Sequence, residues 1–180
     1  MTIILTAFHG TAPGEPLVGG QDPVSNQMLP CLWASNSYFL AAQFQDGEVR
    51  KLEISLKDPL VLTEEDRARD FNNAGHAAIV SEVMAQVEAG AASHDGVIFL
   101  DTVDGAELGD VAAVFPRRGP GGALGVDHCV TLIGIRSYDH GIAEWVSGPG
   151  FTDDVMSLPE VASWEITRDI LTYGSGPSPS

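Results

Sequence analysis

Hydrophobic positions along the chain change period several times, and each change marks an element. Residues 1–8, MTIILTAF, are rich in Ile, Leu and Thr and predict a buried strand. Residues 12–30 crowd Pro, Gly and polar turn formers into one stretch, which predicts a loop longer than usual connections. The short apolar run CLWAS reads as a second strand. In NSYFLAAQF, Asn36 or Ser37 suits an N-cap, Phe39, Leu40, Gln43 and Phe44 fall at helical spacing, and Gly47 ends the helix. EVRKLEISL alternates, so that Val49, Leu52, Ile54 and Leu56 share one face once an irregularity near Lys51 is allowed.

DPLVL predicts a further extended piece, and Thr63 with Asp66 forms a capping-box pattern that opens a helix. Residues 75–90 carry Ile79, Val83 and Val87 at i, i+4 and i+8 and predict an amphipathic helix. DGVIFL, DVAAVF and CVTLIGI read as core strands, with PRRGPGGALG as a flexible loop before the last of them. Residues 141–172 suggest one or two strands with turns at GPG and DD, and GSGPSPS is disordered by composition. No internal repeat is evident. The expected fold class is α+β: a mostly antiparallel sheet with a few flanking helices.

Charge narrows the partners. The chain of 180 residues has a formal net charge of −16, a field that repels nucleic acid and anionic membranes at long range. Arg50–Lys51 and Arg117–Arg118 are the adjacent basic pairs, leaving room for a local basic pocket. Cys31 and Cys129 have no metal-ligand spacing and suggest no disulfide framework, which suits a reduced setting. The N-terminus lacks signal-peptide character, and no apolar run reaches the roughly 18 residues of a membrane span. The reading is a soluble, cytoplasmic protein with no membrane partner.

Several catalytic templates fail. There is no G-x-S-x-G elbow, and GPGGALG does not match a dinucleotide-binding glycine pattern. Asp101, Asp104 and Asp110 lack calcium-loop spacing. His128 and Cys129 would point to opposite faces of a strand, so Cys129 reads as a small hydrophobe. Asp139–His140 reads as a turn, and His76 and His94 as cap or surface residues.

One set of motifs remains. Phe8-His9-Gly10-Thr11 ends the first strand, Trp33-Ala34-Ser35 follows on the second, and Ala42-Gln43-Phe44 lies on the next helix. Further on come His94-Asp95-Gly96-Val97-Ile98 and Ala113-Val114-Phe115-Pro116. In this order the motifs resemble the ADP-ribosyltransferase superfamily, in particular the branch with a His–Tyr–Glu triad and its phage- and toxin-associated relatives. The resemblance covers roughly residues 3–120. It implies a split, mostly antiparallel pair of sheets over 1–120, with 121–172 completing or decorating the same domain and 173–180 as a tail.

The resemblance also implies NAD as substrate. His9, Gly10, Thr11, Trp33, Ser35 and Phe44 would bind it: the imidazole on ribose hydroxyls, the backbone at Gly10 on the nicotinamide amide, and the two aromatic rings on the nicotinamide. His9 counts as catalytic together with an acid, Asp110 or Glu107, and Asp104 lies close by; the acid would stabilise the positive charge that builds on the ribose as nicotinamide leaves. The pattern departs from the family in Trp33 and Phe44, which stack without a phenol hydroxyl, and in the absence of an unambiguous glutamate. From the residues alone, His9 also suits a structural role, Trp33 and Phe44 suit the core, Ser35 suits a helix cap, and Asp110 suits a solvated strand start. The implied function is NAD-dependent mono-ADP-ribosyl transfer to an acceptor that is protein rather than nucleic acid. The alternatives are NAD hydrolysis, or a non-catalytic domain of this fold in protein or virion assembly.

Overall fold

A computed structural model describes residues 2–12, 14–17, 29–43, 48–104, 107–137, 145–146, 164 and 166. Phe44, Asp139–His140, the turns expected in 141–172 and the tail lie outside the described residues.

The strands form at the apolar runs and at the alternating segment EVRKLEISL. They are β1 (Ile3–Thr11), β2 (Leu32–Ser35), β3 (Glu48–Leu56) and β4 (Leu60–Leu62), followed by β5 (Gly96–Asp104) and β6 (Glu107–Val114). Short β7 (Arg117–Arg118) and β8 (Leu124–Gly125) come next, then β9 (Val130–Ser137) and β10 (Trp145–Val146). Eight of them make one sheet in the order β10-β9-β3-β1-β2-β6-β5-β4. Its pairings are antiparallel except β4 with β5, which run parallel. With its helices this is the mixed, mostly antiparallel architecture expected from the sequence. The irregularity near Lys51 is present as a register shift between Lys51 and Leu52 in the pairing of β3 with β9. The stretch 116–125, expected as a plain loop, instead closes as a two-stranded hairpin of β7 and β8. Gly122 turns it at φ 79°, a conformation that favours glycine.

The helices are α1 (Tyr38–Gln43), α2 (Glu64–Phe71) and α3 (His76–Glu88). Ser37 opens α1, its Oγ accepting the Leu40 N–H. Thr63 and Asp66 form a full capping box on α2: each side chain accepts the other's backbone N–H, at 3.2 and 3.0 Å. Ile79, Val80 and Val83 turn the buried stripe of α3 onto Val97, Phe99, Val111 and Ala113 of the sheet. The other face carries a second core, with Leu5, Ala7, Ala34, Leu52, Ile54, Ile98 and Ala112 under Trp164 and Ile166. Both sheet faces are therefore covered, which explains near-continuous apolar runs such as GVIF and VAAV.

His76 is not the cap or surface residue expected. Its Nε2 lies 2.9 Å from Thr102 Oγ1, and its ring rests on Phe99 at a centroid distance of 4.4 Å. Thr102, 1% exposed, also donates to Glu64 Oε1, so one hydroxyl fastens α2 and α3 to β5.

Gly96 begins β5 because β6 allows nothing larger: a Cβ there would lie 2.7 Å from the Ala113 carbonyl oxygen. That oxygen is backbone and cannot swing away. Gly96→Ala is expected to destabilise the fold by about 1–3 kcal/mol, read as a lower urea midpoint with unchanged slope.

Candidate functional site

The sheet is weakly joined between β1 and β2. β1 pairs with β3 along its whole length, from Ile3 opposite Leu56 to Thr11 opposite Glu48. With β2 it shares a single register pair, Phe8 opposite Ser35. Beyond Phe8 the two strands are bridged by a side chain instead of a ladder: His9 Nδ1 lies 2.6 Å from the Trp33 carbonyl oxygen.

That contact fixes the histidine's chemistry. A carbonyl oxygen only accepts, so Nδ1 carries the proton and donates it. In the neutral ring Nε2 then holds a lone pair, an acceptor for a hydroxyl or amide. Burial is the main force pushing the His9 pKa below 6.5; the Trp33 bond works against it, and the nearby Arg50 charge adds to it. The site therefore holds a neutral imidazole with one defined tautomer.

Strand alternation places His9 and Thr11 on the face of Ala7, with Arg50 and Glu48 as their cross-strand partners. This end of the sheet is polar and buried. Thr11 is buried, and Glu48 and Arg50 are each 9% exposed, joined by a 2.7 Å bond from Arg50 Nε to Glu48 Oε1. A buried ion pair is weak evidence for stability, because desolvation offsets much of the attraction. Its place beside His9 makes it part of the site's electrostatics. Sequence reasoning singled out Arg50 only as half of a basic pair and passed over Glu48; the signal was two opposite charges at i and i+2 of a strand end.

The other expected site residues separate. The half-buried Trp33 packs its ring against the α3-side core, so what reaches His9 is its backbone. Ser35 is buried; its Oγ donates to the Asp110 carbonyl at 2.8 Å and accepts the Ser37 N–H at 3.0 Å, which ties β2 to β6 and to the start of α1. Gly10 stands opposite Val49 on β3. Glu107 pairs with Asp104 at the end of the β5–β6 hairpin.

Asp110 is 2% exposed, which overturns the expectation of a solvated strand start. Its Oδ1 accepts the Asp101 N–H at 2.9 Å and its Oδ2 accepts the Trp164 N–H at 2.8 Å. Asp101 sits at φ 50° where β5 shifts register, so one carboxylate oxygen holds an irregular turn and the other holds the 164 segment. Asn36 Oδ1 in turn accepts the Asp110 N–H at 2.7 Å. With both oxygens engaged, this carboxylate clasps the fold, in contrast to the open acid that the resemblance implies.

Cys129 is partly buried, and its thiol is pushed up to about 11 by burial and then by the Asp95 charge. It stays protonated at neutral pH, as expected of a packing residue. Compared with protein-family models, with curated proteins and with solved structures, the chain matches none.

Two outcomes follow from these environments. A histidine with a lowered folded pKa takes up its proton more readily in the unfolded chain, so its contribution to stability is complete above pH 6.5 and is lost as pH falls through the folded value. Urea midpoints are expected to drop on acidification below pH 6.5, and less steeply in His9→Gln. His128 is also shifted down, so His128→Gln serves as the control that leaves the His9 share in place. Asp110→Asn sets an amide against two backbone donors and is expected to destabilise by about 1–3 kcal/mol, read by the same titration.

Proposed function

We propose that this chain binds NAD at the β1–β2 seam and is an NAD-dependent mono-ADP-ribosyltransferase acting on an intracellular protein. The observation that carries the reading is the 2.6 Å bond from His9 Nδ1 to the Trp33 carbonyl. It joins two motifs 24 positions apart and leaves Nε2 of a neutral imidazole as an acceptor suited to a ribose hydroxyl. The neighbouring strand β3 supplies a guanidinium for phosphate oxygens and a carboxylate for positive charge, both on the His9 face. With water as acceptor, the same chemistry is NAD hydrolysis.

A second reading, in which a domain of this fold serves assembly without catalysis, draws on Asp110, whose two oxygens are both taken by backbone donors.

Calorimetry with NAD separates these readings, since the non-catalytic one expects no heat of binding. Release of free nicotinamide, with and without a protein lysate, then separates transfer from hydrolysis. His9→Ala is expected to weaken NAD binding by about tenfold or more, the worth of a hydrogen bond left unmade in a buried site. Parental affinity in that variant would remove His9 from the site.

A further inference from the structure

We infer that copies of this chain bind head to tail: the tip of the β5–β6 hairpin on one copy docks against the β7–β8 hairpin of the next. The inference does not draw on the NAD reading. Its two surfaces lie at opposite ends of one pair of strands. β5 runs from Gly96, opposite Val114, to Asp104, opposite Glu107. Nine residues at about 3.3 Å each set those ends about 25–30 Å apart. β7 starts at Arg117, just past Val114, and the charges of Arg117, Asp95 and Lys57 all reach His128. The β7–β8 hairpin therefore stands at the Gly96 end, away from the tip.

The two ends have opposite character. At the tip, Val103 and Leu108 stand directly across from each other, 64% and 63% exposed. Single exposed apolar residues are ordinary, whereas a facing pair begins a patch. Acids flank it: Asp101 is exposed, and Asp104 and Glu107 form the next register pair. Thr102 bonds to Glu64, which brings the acidic first turn of α2 to the same end. At the other end Arg117 and Arg118 are exposed, and Leu124, opposite Arg118, is 41% exposed. Arg50, Arg67 and Arg69 each hold a carboxylate; among the described residues neither Arg117 nor Arg118 does. A Cβ at Gly121, Gly122 or Gly125 would meet nothing within 4 Å, so this ribbon has open space beside it.

Charge selects the occupant. The net charge of −16 holds copies apart at a distance. At about 0.15 M salt, charges beyond roughly 8 Å are screened, and the groups that face each other decide a contact. An acidic tip with two open apolar side chains calls for a surface that is cationic and apolar. Arg117, Arg118 and Leu124 supply one on every copy. The contact joins two different patches, so it is heterologous and leaves one of each unmet on any pair, ready for a third copy. Both patches are small, which makes the contact weak and reversible.

Sedimentation equilibrium of the full chain, from about 0.05 to about 1 mM at about 0.15 M salt, tests this. The weight-average mass is expected to climb with concentration past that of two copies. Two double variants, Arg117→Glu with Arg118→Glu and Val103→Thr with Leu108→Thr, are each expected to lose association. All four positions are exposed, and urea midpoints check that the variants stay folded. Each variant keeps the surface that the other lost, so an equal mixture is expected to associate and to stop at two copies. A parental mass that stays at one copy overturns the inference and leaves the tip to a basic partner of another sequence. A parental mass that levels off at two copies overturns it in favour of a symmetric contact. Parental association in either variant, or a mixture that stays monomeric, overturns it as well.

Discussion

The structure turns on a backbone oxygen that a side chain satisfies where a strand would ordinarily do so. Across the β1–β2 seam the Trp33 carbonyl takes its hydrogen bond from the His9 imidazole, and the two strands pair at Phe8 and Ser35 alone. A sheet zipped at every position would leave no opening between its central strands. One joined at a single pair keeps a continuous core below the junction, with the polar side chains of His9, Thr11, Glu48 and Arg50 grouped above it. The histidine's tautomer follows from that one bond, and its neutrality follows from the burial around it.

The surrounding polar groups divide into those that hold the sheet and those with capacity to spare. Ser35, Asn36 and Asp110 bond to one another's backbone and to the Asp101 bulge, so the region below the seam is closed and satisfied. Glu48 and Arg50 bond to each other through one atom each, Arg50 Nε donating to Glu48 Oε1. Buried polar groups are tolerated when their partners are complete. The contrast between the closed set and the open set distinguishes scaffold from candidate chemistry more sharply than residue type does.

The strands were legible because alternation survives even imperfect pairing: Val49, Leu52, Ile54 and Leu56 announced β3 together with its irregularity at Lys51. The β7–β8 hairpin was not, since strands of two residues carry no period and PRRGPGGALG reads as turn throughout. Of the site, His9 and Trp33 were legible as a pair, but their contact runs through a carbonyl, and backbone atoms leave no mark on a sequence. Asp110 and Glu48 show the deeper limit. Glu48 opens β3 while Asp110 lies inside β6, and what separates them is which donors the folded chain brings near, information that resides in Trp164, Asp101 and Arg50. His76 was misread for the same reason, its partner Thr102 lying 26 positions onward.

Trp164 joins the two ends of the described chain: its indole N–H donates to the Thr6 carbonyl, 158 positions away, while its backbone N–H donates to Asp110. In an intact polypeptide that reunion is intramolecular, favoured by a covalent tether over an encounter between separate molecules. A protease cut anywhere between β10 and Trp164 would turn the indole into a separate molecule that must find the sheet by diffusion. Peptide-bond integrity in that stretch is therefore part of what keeps this face of the sheet covered.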